Sequence, residues 1–261
     1  MKYLRLSCIA CLFCWAAASY ASPACEVKSG TATAALVELY TSEGCSSCPP
    51  ADRTLGELRR QAGPGAVLVP LALHVSYWNQ IGWVDAYAQK SFDARQSQLL
   101  ESARQRVVYT PQFFVNGSEL RGWDAALPAA IRKVNTIPAP LTIVLKSTPS
   151  GSSALLLEAS VAAPDPRLAG ALYLAVSESG LVTQVSRGEN GGATLRHDDA
   201  VRLLLGPLAL EHGTARLSKT LELPAGWRRE HLQAVAFVQQ GAGPAILQAV
   251  STAQCAGPRG L

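Results

Sequence analysis

The chain has 261 residues, 48% hydrophobic and 16% charged, with a formal net charge of +4 at pH 7. No block of like charges or basic stripe accompanies that small excess, so nothing electrostatic points to nucleic acid as a partner. Beyond the N-terminal segment no stretch is apolar for long enough to cross a bilayer.

Met1-Lys2-Tyr3-Leu4-Arg5 is a basic start, an apolar run follows to Ala18, and Ser19-Tyr20-Ala21-Ser22 supplies small residues for cleavage. This is the pattern of a secretory signal peptide, residues 1–21, cut after Ala21. The mature chain is then periplasmic or secreted, with no stable membrane span after cleavage. Loss of Lys2 and Arg5 lowers the formal charge from +4 to +2. Loss of Cys8, Cys11 and Cys14 leaves four of the seven cysteines: Cys25, Cys45, Cys48 and Cys255. An even number in an oxidising compartment predicts pairing. Cys25 and Cys255 lie near the two ends of the mature chain, and chain ends commonly lie close together on a domain surface. A structural Cys25–Cys255 bridge is therefore predicted, with Cys45 and Cys48 left as a second pair.

Ala34 to Tyr40 (AALVELY) is short, apolar and bounded by turn residues, so it reads as a buried strand. The turn Cys45-Ser46-Ser47-Cys48 follows. Ala51 to Gln61 then reads as a helix, with Leu55 and Leu58 on one face, Asp52 in the first turn and Arg59-Arg60 in the last, as the dipole favours. Ala66 to Val75 is a second apolar run whose Pro70 suggests an edge or an irregularity. Strand, helix and strand make a parallel crossover unit.

A strand leading into a two-cysteine turn and then a helix is an arrangement that makes a thiol reactive. The helix's positive end and free N–H groups favour thiolate at the first cysteine, and the second resolves mixed disulfides by intramolecular attack. Cys45 is thus the predicted nucleophile and Cys48 the resolving thiol. Pro49-Pro50 moves the expected start of regular helix to about Pro50, and Glu43 is an acid close by.

Trp78 to Trp83 reads as a loop and Tyr87 to Val107 as a polar helix. In "YTPQFFVNG", Thr110-Pro111 enters a strand, Gln112 to Val115, and Asn116-Gly117 is a strong hairpin signal before a return strand at Glu119 to Arg121. A cis Thr110–Pro111 bond is predicted, with the two residues docking substrate polypeptide against the cysteine pair. Trp123 to Val134 has apolar residues at helical spacing, with Pro128 inside. Asn135 to Pro140 looks like a linker. Beyond it, Leu141–Lys146, Ser153–Ala162, Ala171–Ser177, Thr214–Leu223 and Leu232–Gln239 are short runs separated by turn residues, the pattern of an antiparallel sandwich or barrel. Arg187 to Gly192 reads as a loop or hairpin and His197-Asp198-Asp199 as a solvated loop. His74, at the end of the second strand, reads as a histidine satisfied by hydrogen bonds.

The first half resembles the thioredoxin fold, and "TPQFFVNG" is similar to the corresponding glutaredoxin segment. More narrowly, "VELYTSEGCSSCPPADRTL", "HVSYWNQIGW", "YTPQFFVNG" and "RGENGGATLRHDDAVR" resemble DUF1223, a secreted family with a thioredoxin-like domain. The resemblance covers Ala34 to the C-terminus. Ser76 departs from it where aspartate is expected, and Ala86 where proline is usual.

The expected fold is an α/β thioredoxin-like domain, residues 22–136, followed by a β-rich, antiparallel sandwich-like domain, residues 137–261. The expected function is thiol–disulfide exchange on exported polypeptides through Cys45 and Cys48, with exported protein thiols or a redox partner protein as partners. No cofactor and no metal is implied, since one CxxC lacks the four ligands of a structural zinc. Two alternatives stand beside it. One is a Cu(I) carrier using Cys45, Cys48 and His74, since soft thiolates suit that ion. The other is a non-catalytic binding module in which the CxxC is a static disulfide.

Overall fold

The computed structural model describes residues 24–151, 153–241 and 243–256. The expected signal peptide lies outside them. The chain begins with β1 (Cys25–Lys28) and β2 (Ala35–Thr41), followed by α1 (Pro49–Gln61), β3 (Leu68–His74) and α2 (Lys90–Ser102). Next come β4 (Gln112–Val115), β5 (Ser118–Glu119) and α3 (Trp123–Asn135). The remainder is strand apart from two short 3₁₀ turns, at Arg229–His231 and Thr252–Ala256. The strands are β6 (Thr142–Ser150), β7 (Ala154–Ala162), β8 (Gly170–Glu178), β9 (Leu181–Gln184), β10 (Thr194–His197), β11 (Ala200–Ala209), β12 (Thr214–Glu222), β13 (Leu232–Gln240) and β14 (Ile246–Ser251).

The crossover unit is present: β2 and β3 pair in parallel from Ala35–Leu68 to Thr41–His74, with α1 between them in sequence. Alternation along β2 serves two layers, because successive strand side chains point to opposite faces. Ala35, Val37 and Leu39 pack with Leu55 and Leu58 of α1 and Leu127 and Ile131 of α3. Leu36 and Tyr40 pack on the other side with Phe92, Leu99 and Leu100 of α2. Between them Glu38 is buried and paired with Arg95 of α2, whose Nε and a terminal nitrogen donate to the two carboxylate oxygens at 2.6 and 3.1 Å. Arg95 also lies over the rings of Tyr173 and Phe237, so one guanidinium joins α2 to β8 and β13.

The expectation of an α/β thioredoxin-like domain followed by a β-rich domain is corrected here. The described residues form fourteen strands and three α-helices, and the molecule is mainly β-sheet. A mixed eight-stranded sheet runs β14-β13-β8-β11-β3-β2-β4-β5, so strands from both halves of the chain share it. The joint is β11 on β3: Ala200 pairs in parallel with Ala72, and the Ala72 N–H donates to the Asp199 carbonyl at 2.9 Å. Because β3 meets β11 at this point and β2 along its whole length, Pro70 costs no bond to β11. β11 escapes sequence reading because Gly206-Pro207 falls inside it; the structure absorbs that dipeptide as an irregularity between Leu205 and Leu208.

A four-stranded antiparallel sheet, β1-β6-β7-β12, covers β8, β13 and β14. Ile143, Leu145, Leu157 and Val161 from it interdigitate with Leu172, Leu174, Ala236 and Val250. The expected separate sandwich-like domain is likewise corrected: the sheet packed against β1-β6-β7-β12 is part of the mixed eight-stranded sheet that also holds β2 and β3. Among the described residues no helix is long and apolar enough to cross a membrane.

Candidate functional site

β2 ends at Thr41 and the chain turns through Ser42, Glu43 and Gly44 into Cys45. The Cys45 N–H donates to the Ser42 carbonyl at 3.1 Å, and the Cys48 N–H to the Cys45 carbonyl at 3.2 Å. Cys48 is the N-cap of α1, and Pro49 and Pro50 occupy its first two positions. Cys45 and Cys48 are joined by a disulfide, and so are Cys25 and Cys255.

The prolines change the electrostatics expected at Cys45. Neither has an N–H, and the next two amides, of Ala51 and Asp52, both donate to the Cys48 carbonyl at 2.9 and 3.1 Å. The first turn of α1 therefore offers the Cys45 sulfur no free amide, and only the field of the helix dipole remains. The hydroxyl of Ser47 lies 3.4 Å from the sulfur instead.

Thr110 and Pro111 immediately precede β4, and their peptide bond is cis. Tyr40 pairs with Gln112, which sets the start of β4 beside the end of β2. Trp78 links the two turns. Its indole N–H donates to the Thr110 hydroxyl at 2.8 Å, and a Cβ added at Gly44 would lie 3.2 Å from the Trp78 Cβ. Ser76, where aspartate was expected, donates to Asp93 of α2 from both its N–H and its hydroxyl, at 2.7 and 2.6 Å.

Both Cys45 and Cys48 are fully buried, at 0% exposure, while Ser46 and Ser47 between them are open. The cover is the tip of the β9–β10 hairpin, residues 185–193. Asn190 donates from its side-chain nitrogen to the carbonyls of Glu43 and Cys45 at 2.9 and 3.0 Å. Glu189 accepts the Ser46 N–H at 3.0 Å. Gly82 and Gly188, both at positive φ, bring this tip against the Trp78–Trp83 loop: a Cβ at Gly82 would lie 3.5 Å from the Gly188 Cα.

The cysteine turn and its neighbouring elements bury five ionisable side chains, Glu43, Asp52, His74, Asp85 and His197, linked to one another. Glu43 is held by His197 Nε2 at 3.0 Å and by the Trp83 indole N–H at 2.8 Å. Asp85 takes His74 Nδ1 at 2.7 Å and the Glu43 and Tyr87 amides at 2.9 Å each. The two imidazoles meet edge to face with centroids 4.8 Å apart. Burial works most strongly against charge on His74, but the Asp85 carboxylate, with those of Asp52 and Glu43, outweighs it and holds that imidazole above its ordinary value. Burial likewise opposes charge on Asp85, and His74 with the amides pulls it below the usual carboxylate range. Asp52 goes the other way: burial raises it, and the imidazoles only partly offset that. Its Oδ1, His74 Nε2 and His197 Nδ1 have no hydrogen-bond partner.

Two sequence expectations fail at this site. His197 and Asp199 are not a solvated loop: both are buried, and Asp199 is bridged by Arg59 at 2.9 and 3.1 Å. His74 is satisfied at Nδ1 only. Among the described residues no three histidine, cysteine or acidic side chains are arranged to hold a metal ion, so the Cys45, Cys48 and His74 set for Cu(I) is not assembled. The hairpin tip, His197 and Asp85 were missed as site residues. They lie 40 to 152 positions from Cys45 in the chain, and no spacing pattern signals so distant a meeting.

A family model described as "Protein of unknown function (DUF1223)" matches residues 36–239. No curated protein matches the chain. The chain is similar to a crystal structure of a protein from Agrobacterium tumefaciens, at 23% identity and a TM-score of 0.61, over 84% of this chain and 94% of that one. It is also similar to HBP35 of Porphyromonas gingivalis, at 18% identity and a TM-score of 0.62, over 85% of this chain and 76% of that one. At these identities the likeness is one of fold.

Proposed function

The chain belongs to the DUF1223 family, and from that starting point we propose that it is an exported thiol–disulfide oxidoreductase acting on polypeptide cysteines through Cys45 and Cys48. One observation carries the reading: five ionisable side chains are buried in the cysteine turn and the elements next to it, beside a disulfide that has little to staple. The Cys45–Cys48 bond closes a sequence separation of 3, against 230 for Cys25–Cys255. In the chain-entropy account that is worth about 2 kcal/mol against about 5. Burying ionisable groups is costly unless each is paired, and here several polar atoms are not. Such clusters gather where protons must be moved. Cys45 is the nucleophile and Cys48 the resolving thiol, with Thr110 and Pro111 forming the edge on which substrate docks. Client cysteines of exported polypeptides, or a redox partner protein, are the other half of the exchange.

Full burial of both sulfurs favours a second reading, a binding module with an inert bridge. The two part at the hairpin tip. Three hydrogen bonds hold Asn190 and Glu189 on the cysteine turn, and releasing them costs about 3–5 kcal/mol, within the range of local opening. Asn190→Ala removes two of them. Reduction of Cys45–Cys48 by a small dithiol should then quicken about 10- to 30-fold, timed by alkylation and mass spectrometry. An unchanged slow rate in both proteins supports the inert bridge.

A further inference from the structure

We propose that the hairpin tip carrying Glu189 and Asn190 is a lid that closes on the Cys45–Cys48 disulfide and is expelled by the Cys45 thiolate, so that the pair meets its clients in the reduced form and its substrates are polypeptide disulfides. The proposal rests on the exchange reading above and names the substrate class and the regulation of that site.

Three observations converge. First, the tip grips the nucleophile's own turn. Asn190 donates to the Glu43 and Cys45 carbonyls at 2.9 and 3.0 Å, and Glu189 accepts the N–H of Ser46, the next residue, at 3.0 Å. Under it both sulfurs are at 0% exposure, so the oxidised pair is shielded from client thiols. Second, the tip takes a donor that a thiolate needs. Pro49 and Pro50 have no N–H, the Ala51 and Asp52 amides bond to the Cys48 carbonyl, and the Cys48 amide bonds to the Cys45 carbonyl. Beside the Ser47 hydroxyl, 3.4 Å from the sulfur, the Ser46 amide is a nearby donor, and with the tip closed it serves a carboxylate instead. Third, that carboxylate brings a like charge. Hydrogen bonding from Ser46 holds Glu189 below the usual carboxylate range, so it is ionised wherever a thiol titrates. An uncharged disulfide tolerates this neighbour, and a thiolate one residue away is disfavoured by it.

The coupling is reciprocal. A closed tip disfavours the thiolate, and the thiolate drives the tip off. β9 and β10 form a two-stranded sheet of their own, and Arg187, Gly188 and Glu189 at the tip are exposed, so the tip has little packing to break.

The titratable groups on the turn and on the elements packed against it are Glu43 in the turn, Asp52 and Arg53 of α1, His74 at the end of β3 with Asp85 and Tyr87 after it, Tyr109 before Thr110, and His197 of β10. These belong to both states of the lid. Arg187 and Glu189 alone leave with the tip, and Glu189 is the one bonded beside the sulfur.

The cycle balances. A dithiol gives two electrons to the Cys45–Cys48 bond and closes to its own disulfide. Cys48 keeps one of its protons, Cys45 becomes thiolate, and the other proton goes to water. The thiolate attacks a client disulfide, then Cys48 attacks Cys45 and restores the bridge. The two client sulfurs leave in turn with their electron pairs and take up a proton each, one from Cys48 and one from water.

The test follows amide exchange of residues 185–193 by mass spectrometry, in protein with Cys25–Cys255 closed and Cys45–Cys48 either closed or opened by titration with dithiothreitol. At pH 8 the tip of the reduced wild type should exchange about 5-fold faster than that of the oxidised protein, and the ratio should fall toward one as pH drops and the thiolate takes up its proton. Glu189→Gln keeps an acceptor for the Ser46 amide without the charge. Its ratio should stay under about 2-fold, and its reduction potential should lie about 20 mV higher, which is 5-fold at about 30 mV per tenfold. The double variant Cys45→Ser with Cys48→Ser, unbridged and uncharged, should keep the tip as protected as in the oxidised protein. A wild-type tip equally protected in both redox states at pH 8 overturns the lid even if the variants fold poorly. So does a tip freed as far in the double serine variant as in the reduced protein. In either case exchange still stands if the reduced protein opens the disulfides of insulin. Reduced protein that opens none overturns both.

Discussion

Under the proposed exchange activity, Cys45→Ser should abolish turnover on a protein disulfide, reducing it to the rate without protein, whereas Cys48→Ser should leave a protein that reacts once and stalls. The asymmetry follows from the turn. Cys45 is followed by the two exposed serines and lies under a removable cover. Cys48 is locked into the cap of α1, with its carbonyl holding the amides of Ala51 and Asp52. Both sulfurs are buried, so the asymmetry rests on release of the hairpin tip that holds the Cys45 carbonyl, which should open Cys45 first. Non-reducing gels of Cys48→Ser with a cysteine-bearing substrate should trap the mixed disulfide, and Cys45→Ser should trap none. The two variants also share the loss of a bridge worth about 2 kcal/mol in the chain-entropy account, so lost folding does not separate them. Turnover that survives Cys45→Ser contradicts the assignment.

Replacing Cys25 and Cys255 together by serine should lower the unfolding free energy by about 5 kcal/mol in the chain-entropy account, because the bridge closes a separation of 230 residues. It also fixes a vulnerable element. β1 is a four-residue edge strand paired on one side only, to β6, with Cys25 opposite Ser147. The bridge ties its first residue to the 3₁₀ turn that ends the described chain. Fraying of β1 would withdraw Val27 from the core it shares with Ile143 and Leu145 of β6. The double variant should show a lower denaturant midpoint and a steeper slope, because the unfolded chain without its 230-residue loop exposes more surface. A loss under about 1 kcal/mol would mean that the ends are held by packing alone.

This bridge was legible from sequence because cysteine parity after removal of the leader leaves few choices. The β2-α1-β3 unit and the Asn116-Gly117 hairpin were legible for a local reason: apolar strands, caps and turn residues lie within a few positions of one another. The thioredoxin-like domain was inferred from those same local signals, and it failed as a description of the whole. Which strand sits beside β3 is decided by Ala72 and Ala200, 128 positions apart, and nothing local encodes that pairing. The strand that makes it carries Gly206-Pro207, which argues against a strand until the irregularity is seen. The Cys45–Cys48 bridge and the cis Thr110–Pro111 bond were each legible from local signals. His197 was not, because three consecutive ionisable residues, His-Asp-Asp, normally mean a solvated turn, and ionisable residues are seldom fully buried. Its burial becomes intelligible only with Glu43 and Asp52 on either side.

The reduction potential of the Cys45–Cys48 pair, measured by glutathione titration with Cys25–Cys255 left closed, tests the central claim most directly. A pair built for exchange should lie above about −300 mV and come to equilibrium with the thiol buffer. A potential below about −300 mV, or a bond that stays closed in excess reductant, would make it an inert staple and contradict the account.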